Sequence, residues 1–230
     1  MRTLTAQAME EGAFGISTGL IYPPSCYSTT DELIRVVSAV APYGGYYATH
    51  MRNESYDVVK SVEEALHVAK EAGVRLQISH HKVTHKADWQ VSCKTTIAMI
   101  QRAWRQGLDV TCDQYPYSAS ATSMSSNVPS WAFEGGVEAM LARMEDPEQV
   151  AQIRANFYAK YPNMDWMMIT VCPGAPEYEG LRVGEIAALR GRDEFDAALD
   201  VVRISKGTAK CVFFSICEQD VQAVLANPRT

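Results

Sequence analysis

Several common signatures are missing from this sequence, and each absence removes a class of function. The six cysteines (Cys26, Cys93, Cys112, Cys172, Cys211, Cys217) contain no C-x-x-C pair and are scattered through 230 residues. That pattern excludes a small disulfide scaffold and reads as reduced thiols of a cytoplasmic protein. There is no basic run and no basic patch interleaved with aromatics, and the formal net charge is -6. Nucleic acid and anionic membrane are therefore poor candidates for the main partner. No apolar stretch approaches the roughly eighteen residues of a membrane span. Met1-Arg2 leads straight into an amphipathic helical pattern over residues 4–11, which is not a signal peptide. No Gly-rich phosphate loop follows an early strand, which argues against a doubly wound nucleotide-binding sheet.

What remains is an ordinary globular composition, 47% hydrophobic and 21% charged, with one unit repeated along the first two-thirds. A helical pattern ends in glycine, an apolar strand follows, and a polar residue stands where the strand should finish. Gly12 leads to Ser17 and Thr18, Gly44-Gly45 to His50, Gly73 to His80, and Gly107 to Asp113. Glycine after the last helical turn is the usual left-handed stop. Thr29 with Glu32, and Ser61 with Glu64, have capping-box spacing ahead of apolar helical runs. Residues 94–106 place Ile97, Ile100 and Trp104 on one helical face.

Helices alternating with short strands at this period imply βα units and a parallel sheet. With polar residues at the strand ends, the pattern is that of a (β/α)8 TIM barrel, whose site lies at the C-terminal rim. After Ser118 the rhythm breaks. Residues 118–123 read as a small polar loop, and helices are expected over 137–143, 148–160, 184–190, 195–204 and 218–226, with strands over 166–171 and 209–215. The expected organisation is βα units over 1–122, a mainly helical insertion over 123–207, and a return toward the last barrel strand over 208–230. Four good barrel strands are too few to close the fold. The chain therefore reads as a fragment of a longer barrel, or as a scaffold whose open edge a partner copy covers.

Two stretches carry the chemistry, Thr49-His50-Met51-Arg52 and Ile78-Ser79-His80-His81-Lys82. Histidines at neighbouring strand ends can share one ion. They can equally be two hydrogen-bonded strand-end histidines, since two ligands do not complete a site. His81 should point the other way into the core, and His67 and His85 read as structural. Asp113 is either a partner of a ligating histidine or a turn cap, and Cys112 beside it is packing. Lys82 and Arg52 could receive a substrate carboxylate or form ordinary ion pairs, with Glu54 near enough to partner Arg52. Trp89, Tyr115 and Tyr117 are candidate pocket walls.

Taken in order, Gly12-Ala13-Phe14-Gly15-Ile16-Ser17-Thr18-Gly19-Leu20-Ile21-Tyr22-Pro23-Pro24, Thr49-His50-Met51-Arg52, Gln77-Ile78-Ser79-His80-His81-Lys82 and Asp113-Gln114-Tyr115-Pro116-Tyr117 resemble the D-aminoacylases, N-acyl-D-amino-acid deacylases of the amidohydrolase superfamily. The resemblance implies zinc-dependent hydrolysis of the amide of N-acyl-D-amino acids. It implies that His50 and His80 are metal ligands and that Lys82 and Tyr115 belong to the substrate pocket. A small hydroxyl from the loop after Tyr117 would fall at Ala121, flanked by Ser120 and Thr122, which leaves Ser120 as the candidate. The family's His-x-His pair and bridging cysteine would precede Met1, and its acid/base aspartate is expected beyond Thr230, so the resemblance implies that the chain covers about strands four through seven of the barrel with the insertion. On that reading the chain alone is weakly active or inactive. A different amidohydrolase, acting on cyclic amides or D-aminoacyl peptides, and a metal-free half-barrel that dimerises are the alternatives.

Overall fold

The computed structural model describes residues 1–230, which form two compact units: Met1–Ser118 with Ile216–Thr230, and Ala119–Ser215. In the first unit α1 (Arg2–Glu10) precedes β1 (Gly15–Gly19), α2 (Thr30–Val37), β2 (Tyr46–His50), α3 (Val58–Ala72), β3 (Arg75–Ile78), α4 (Ser92–Arg105) and β4 (Val110–Cys112). The four strands are parallel in the order β1-β2-β3-β4. Gly19 lies opposite His50, Thr49 opposite Ile78, and Ile78 opposite Cys112. Parallel strands in sequence order, each returned by a helix, are part of a (β/α)8 barrel.

The local causes are legible. Gly44 and Gly73 take φ of 67° and 69° where a helical stretch must turn into the next strand. Gly15 meets a different demand: a Cβ there would lie 2.1 Å from the Tyr46 carbonyl oxygen, so β1 could not approach β2 with any larger residue. Thr29 and Glu32 form the expected capping box, the Thr29 hydroxyl accepting from the Glu32 amide and the Glu32 carboxylate from the Thr29 amide. Tyr47, Leu76, Ile78, Ile100 and Val110 are buried with the inner faces of α2 and α3 in one apolar core.

Two expectations in this unit need correction. Ser61 and Glu64 do not cap α3, which begins at Val58; Ser61 lies inside the helix, and its hydroxyl accepts from the Asn53 amide. Trp104 is 48% exposed, and its ring lies 5.1 Å from the Arg229 guanidinium. An indole can stay half in water when a cation covers its face.

The second unit holds β5 (Ser120–Ser123), α5 (Val137–Arg143), α6 (Pro147–Tyr158), β6 (Met167–Val171), α7 (Val183–Arg190), α8 (Glu194–Ile204) and β7 (Lys210–Phe213). Its sheet has the order β5-β7-β6, antiparallel throughout. Residues 120–123 are thus a strand and not the small polar loop of the sequence reading: pairing with β7 supplies what their composition does not. Met140, Met144, Ile153, Phe157, Met167, Ile169 and Phe195 fill the core of this unit. Residues 208–230 divide, β7 closing this sheet while α9 (Glu218–Leu225) packs on α4 in the first unit. No helix is long and apolar enough to cross a membrane.

Candidate metal and carboxylate site

The register brings the two strand-end histidines side by side. His50 closes β2, and His80 follows β3 after a turn in which its own φ is 39°. A non-glycine residue in that region needs support. Asp113, just past β4, provides it: Oδ1 accepts the His80 backbone N–H at 2.6 Å, and Oδ2 accepts from Gln77 Nε2 at 2.6 Å. Gln77 is held in turn by Thr111, whose hydroxyl donates to its side-chain oxygen. Asp113 therefore acts on the His80 main chain and not on its imidazole.

His50 Nδ1 lies 2.9 Å from His80 Nε2, with ring centroids 4.4 Å apart and edge-on. Tyr22 flanks His50 with its ring centroid at 5.0 Å. Beneath the pair sits Glu54, four residues beyond His50 and 6% exposed. Its Oε2 lies 2.6 Å from Lys82 Nζ and 3.7 Å from His50 Nε2, and its Oε1 lies 2.8 Å from His80 Nδ1. That last approach is close, but Oε1 has no aligned hydrogen-bond donor, and His50 Nε2 is likewise buried without a partner. Lys82 also reaches His80, Nζ lying 2.9 Å from Nδ1 and donating to the carbonyl oxygen at 3.0 Å.

The charges explain how these groups share so small a volume. Burial alone would raise the Glu54 carboxyl, but Lys82 and then the two imidazoles outweigh it and hold the group down to about 2. Burial lowers His50 to about 4, against the pull of Glu54, so at neutral pH its ring is uncharged with a lone pair to offer. Lys82 is also lowered, by burial first, with Glu54 opposing the shift.

The other sequence candidates fall as follows. Arg52 does not partner Glu54. Its Nε and Nη2 donate to Glu64 at 2.9 and 3.0 Å, while Nη1 and Nη2 reach the Cys26 and Ser28 carbonyls at 2.8 and 2.9 Å. All its polar reach is spent on tying the β1–α2 connection to α3. Tyr115 lies with its ring centroid 5.6 Å from Lys82 Nζ, and Tyr117 stacks beside it. Ser120 lies on β5 in the second unit, opposite Phe213. His81 is fully buried with Nε2 2.9 Å from the Thr96 hydroxyl, a core histidine. His85 pairs with Asp88 at 2.6 Å.

Glu54 is the residue that sequence reasoning missed. A carboxylate at His50+4 was the available signal, obscured by the nearer Arg52. His50, Glu54 and His80 each present a donor atom, all within 4.8 Å of one another. Two imidazoles and a carboxylate are a set that zinc accepts. Two of the donor atoms are buried and otherwise unsatisfied, which is costly unless something meets them.

No protein-family model matches the chain. It is homologous to the D-aminoacylase of Alcaligenes xylosoxydans xylosoxydans, 33% identical over 226 residues that are 98% of this chain and 39% of that protein. A crystal structure of D-aminoacylase, described as defining a novel subset of amidohydrolases, superposes with a TM-score of 0.74 at 32% identity, covering 100% of this chain and 40% of that one. The N-acyl-D-glutamate deacylase of Bordetella bronchiseptica, solved with zinc and a phosphonate mimic of the tetrahedral intermediate, gives 0.76 at 28% identity, covering 99% and 40%. The structures it resembles are amidohydrolase TIM-barrel enzymes, and the chain spans about two-fifths of the length of the relatives it matches.

Proposed function

We propose, with homology to the D-aminoacylases and N-acyl-D-glutamate deacylases as the premise, that this chain carries part of the active site of a zinc-dependent hydrolase. The reaction would remove the acyl group from the nitrogen of a D-amino acid. One observation supports this reading above the rest: His50, Glu54 and His80 converge within 4.8 Å at the ends of β2 and β3, with the Lys82 ammonium buried beside them.

Bound zinc would supply a Lewis acid for the amide carbonyl and lower the pKa of an attacking water. The chain's own residues do the rest of the work assigned here. His50 and His80 offer imidazole nitrogens, and Glu54 contributes the negative charge that a dication needs for stable binding in a buried place. Lys82, with the Tyr115 ring centroid 5.6 Å from its ammonium, is the proposed anchor for the carboxylate of the amino-acid substrate, which would fix its orientation. Arg52 is reassigned from substrate binding to holding the loop that leads to the site. None of these groups is assigned the proton transfer to the leaving amine.

The test is zinc content of the purified chain beside its His50→Ala/His80→Ala double variant. With it goes a panel of N-acetyl-D-, N-acetyl-L- and cyclic amide substrates. Zinc bound by the first and lost by the second is the expected result, with turnover by the chain alone weak or absent and whatever turnover occurs confined to D substrates. Absence of zinc from both proteins would defeat the reading, as would equal turnover of L forms or turnover of cyclic amides alone.

A further inference from the structure

A metal ion on one nitrogen of a neutral imidazole leaves the proton on the other, and that N–H needs an acceptor where it is buried. His50 and His80 each turn one nitrogen toward the other, His50 Nδ1 lying 2.9 Å from His80 Nε2. Two nitrogens bound to one tetrahedral zinc stand about 3.3 Å apart, so this facing pair needs to open only slightly to grip an ion. The remaining nitrogens both turn toward Glu54: His80 Nδ1 is 2.8 Å from Oε1, and His50 Nε2 is 3.7 Å from Oε2. Glu54 Oε1 and His50 Nε2 are also buried atoms without a partner. Protons held on the two outward nitrogens by metal uptake would give both orphans a role.

Glu54 is built to stay where it is. Its carbonyl oxygen accepts from the Thr84 amide at 2.8 Å and from the Thr84 hydroxyl at 3.1 Å, which ties the loop after β2 to the loop after β3. On either side of it, the Asn53 amide donates to the Ser61 hydroxyl at 2.9 Å, and the Asn53 side-chain oxygen accepts from the Ser55 amide at 2.8 Å. Lys82 Nζ, 2.6 Å from Oε2, restrains the carboxylate itself. A carboxylate held this firmly can orient an imidazole.

We propose that Glu54 is a positioning residue for the metal and not a ligand to it. One carboxylate receives the outward N–H of both imidazoles, and so fixes His50 to bind through Nδ1 and His80 through Nε2. The inference rests on the metal-site reading above and refines it, moving Glu54 from the ion to a place behind the histidines. Its charge still offsets that of the dication from there.

The test uses the 230-residue chain, isotopically labelled at the histidine nitrogens and saturated with zinc. Long-range proton–nitrogen correlation spectra distinguish a metal-bound ring nitrogen from a protonated one. His50 bound at Nδ1 and His80 at Nε2 is the expected result, with the His80 Nδ1 proton exchanging slowly with water. In Glu54→Ala that proton should exchange several-fold faster and zinc should bind roughly 10- to 100-fold more weakly, on the same nitrogens. Glu54→Gln keeps an acceptor oxygen and should recover part of the protection. Zinc on His80 Nδ1 or His50 Nε2, or proton exchange that Glu54→Ala leaves unchanged, overturns the proposal while the metal site stands. If the unaltered chain takes up no zinc, the metal-site reading fails and this inference fails with it.

Discussion

Arg52 and Glu64 meet in a two-pronged ion pair, Nε to Oε2 at 2.9 Å and Nη2 to Oε1 at 3.0 Å. The same guanidinium also holds the carbonyls of Cys26 and Ser28. A planar fork with five donors is the group that can do this, and an ammonium is not. Arg52→Ala should destabilise the fold by about 2 kcal/mol, because four charge-assisted contacts are lost and Glu64 is left half-buried without its partner. Arg52→Lys should recover only a small part of that loss. Urea unfolding of the three proteins measures it. Undiminished stability combined with lost affinity for a carboxylate ligand would return Arg52 to the substrate pocket.

Asp113 acts at one remove from the candidate metal. Its Oδ1 holds the His80 N–H in a left-handed turn, φ 39°. Asp113→Ala frees that turn and should weaken zinc binding by roughly 10- to 100-fold, the usual effect of losing a group that orients a ligand. Asp113→Asn keeps an acceptor oxygen and should cost far less. Equal losses in both variants would mean that the Asp113 charge matters and its hydrogen bond to the turn does not. Zinc titrations of both variants decide between the two.

The thiols give a prediction about pH. Burial pushes Cys93 and Cys211 up to about 12, and Cys26 is the one cysteine that is not buried. At pH 8 a disulfide reagent should label Cys26 first and leave Cys93 and Cys211 untouched until the chain unfolds. The sign for stability follows from linkage. An unfolded thiol releases its proton near its ordinary value of 9.0 while the buried one keeps it. Stability contributed by these groups is therefore complete below pH 9 and is lost as pH rises toward 12. Rapid labelling of Cys93 in the native chain would contradict the buried core around α4.

How much of this was readable beforehand depends on which interactions are local. The βα repeat, the Thr29–Glu32 capping box and the glycine stops at Gly44 and Gly73 are short-range devices, so the sequence displays them directly. The pairing of β2 with β3 then brought His50 beside His80, as the strand-end pattern suggests. Glu54 was not legible, because the loop after β2 folds back to bury a charge that looks like part of an exposed Arg52–Glu54 pair. The partner of Arg52 is instead Glu64, six residues past the start of α3 at Val58. The strand Ser120–Ser123 was not legible either: it has no apolar alternation, and its β character comes wholly from lying against β7.

The sheet order β5-β7-β6 has a consequence for how the chain is made. Its middle strand is its last in sequence, and Ser120 finds Phe213 across more than ninety intervening residues. Until that last strand exists, β5 and β6 have no common neighbour and each lacks its ladder. The four parallel strands of the first unit each pair with a neighbour in sequence and can assemble as they emerge, with α9 added last. Residues 119–215 must wait, with their methionine-rich core uncovered, so this stretch is where a chaperone would find most to hold and where a protease would cut a stalled chain.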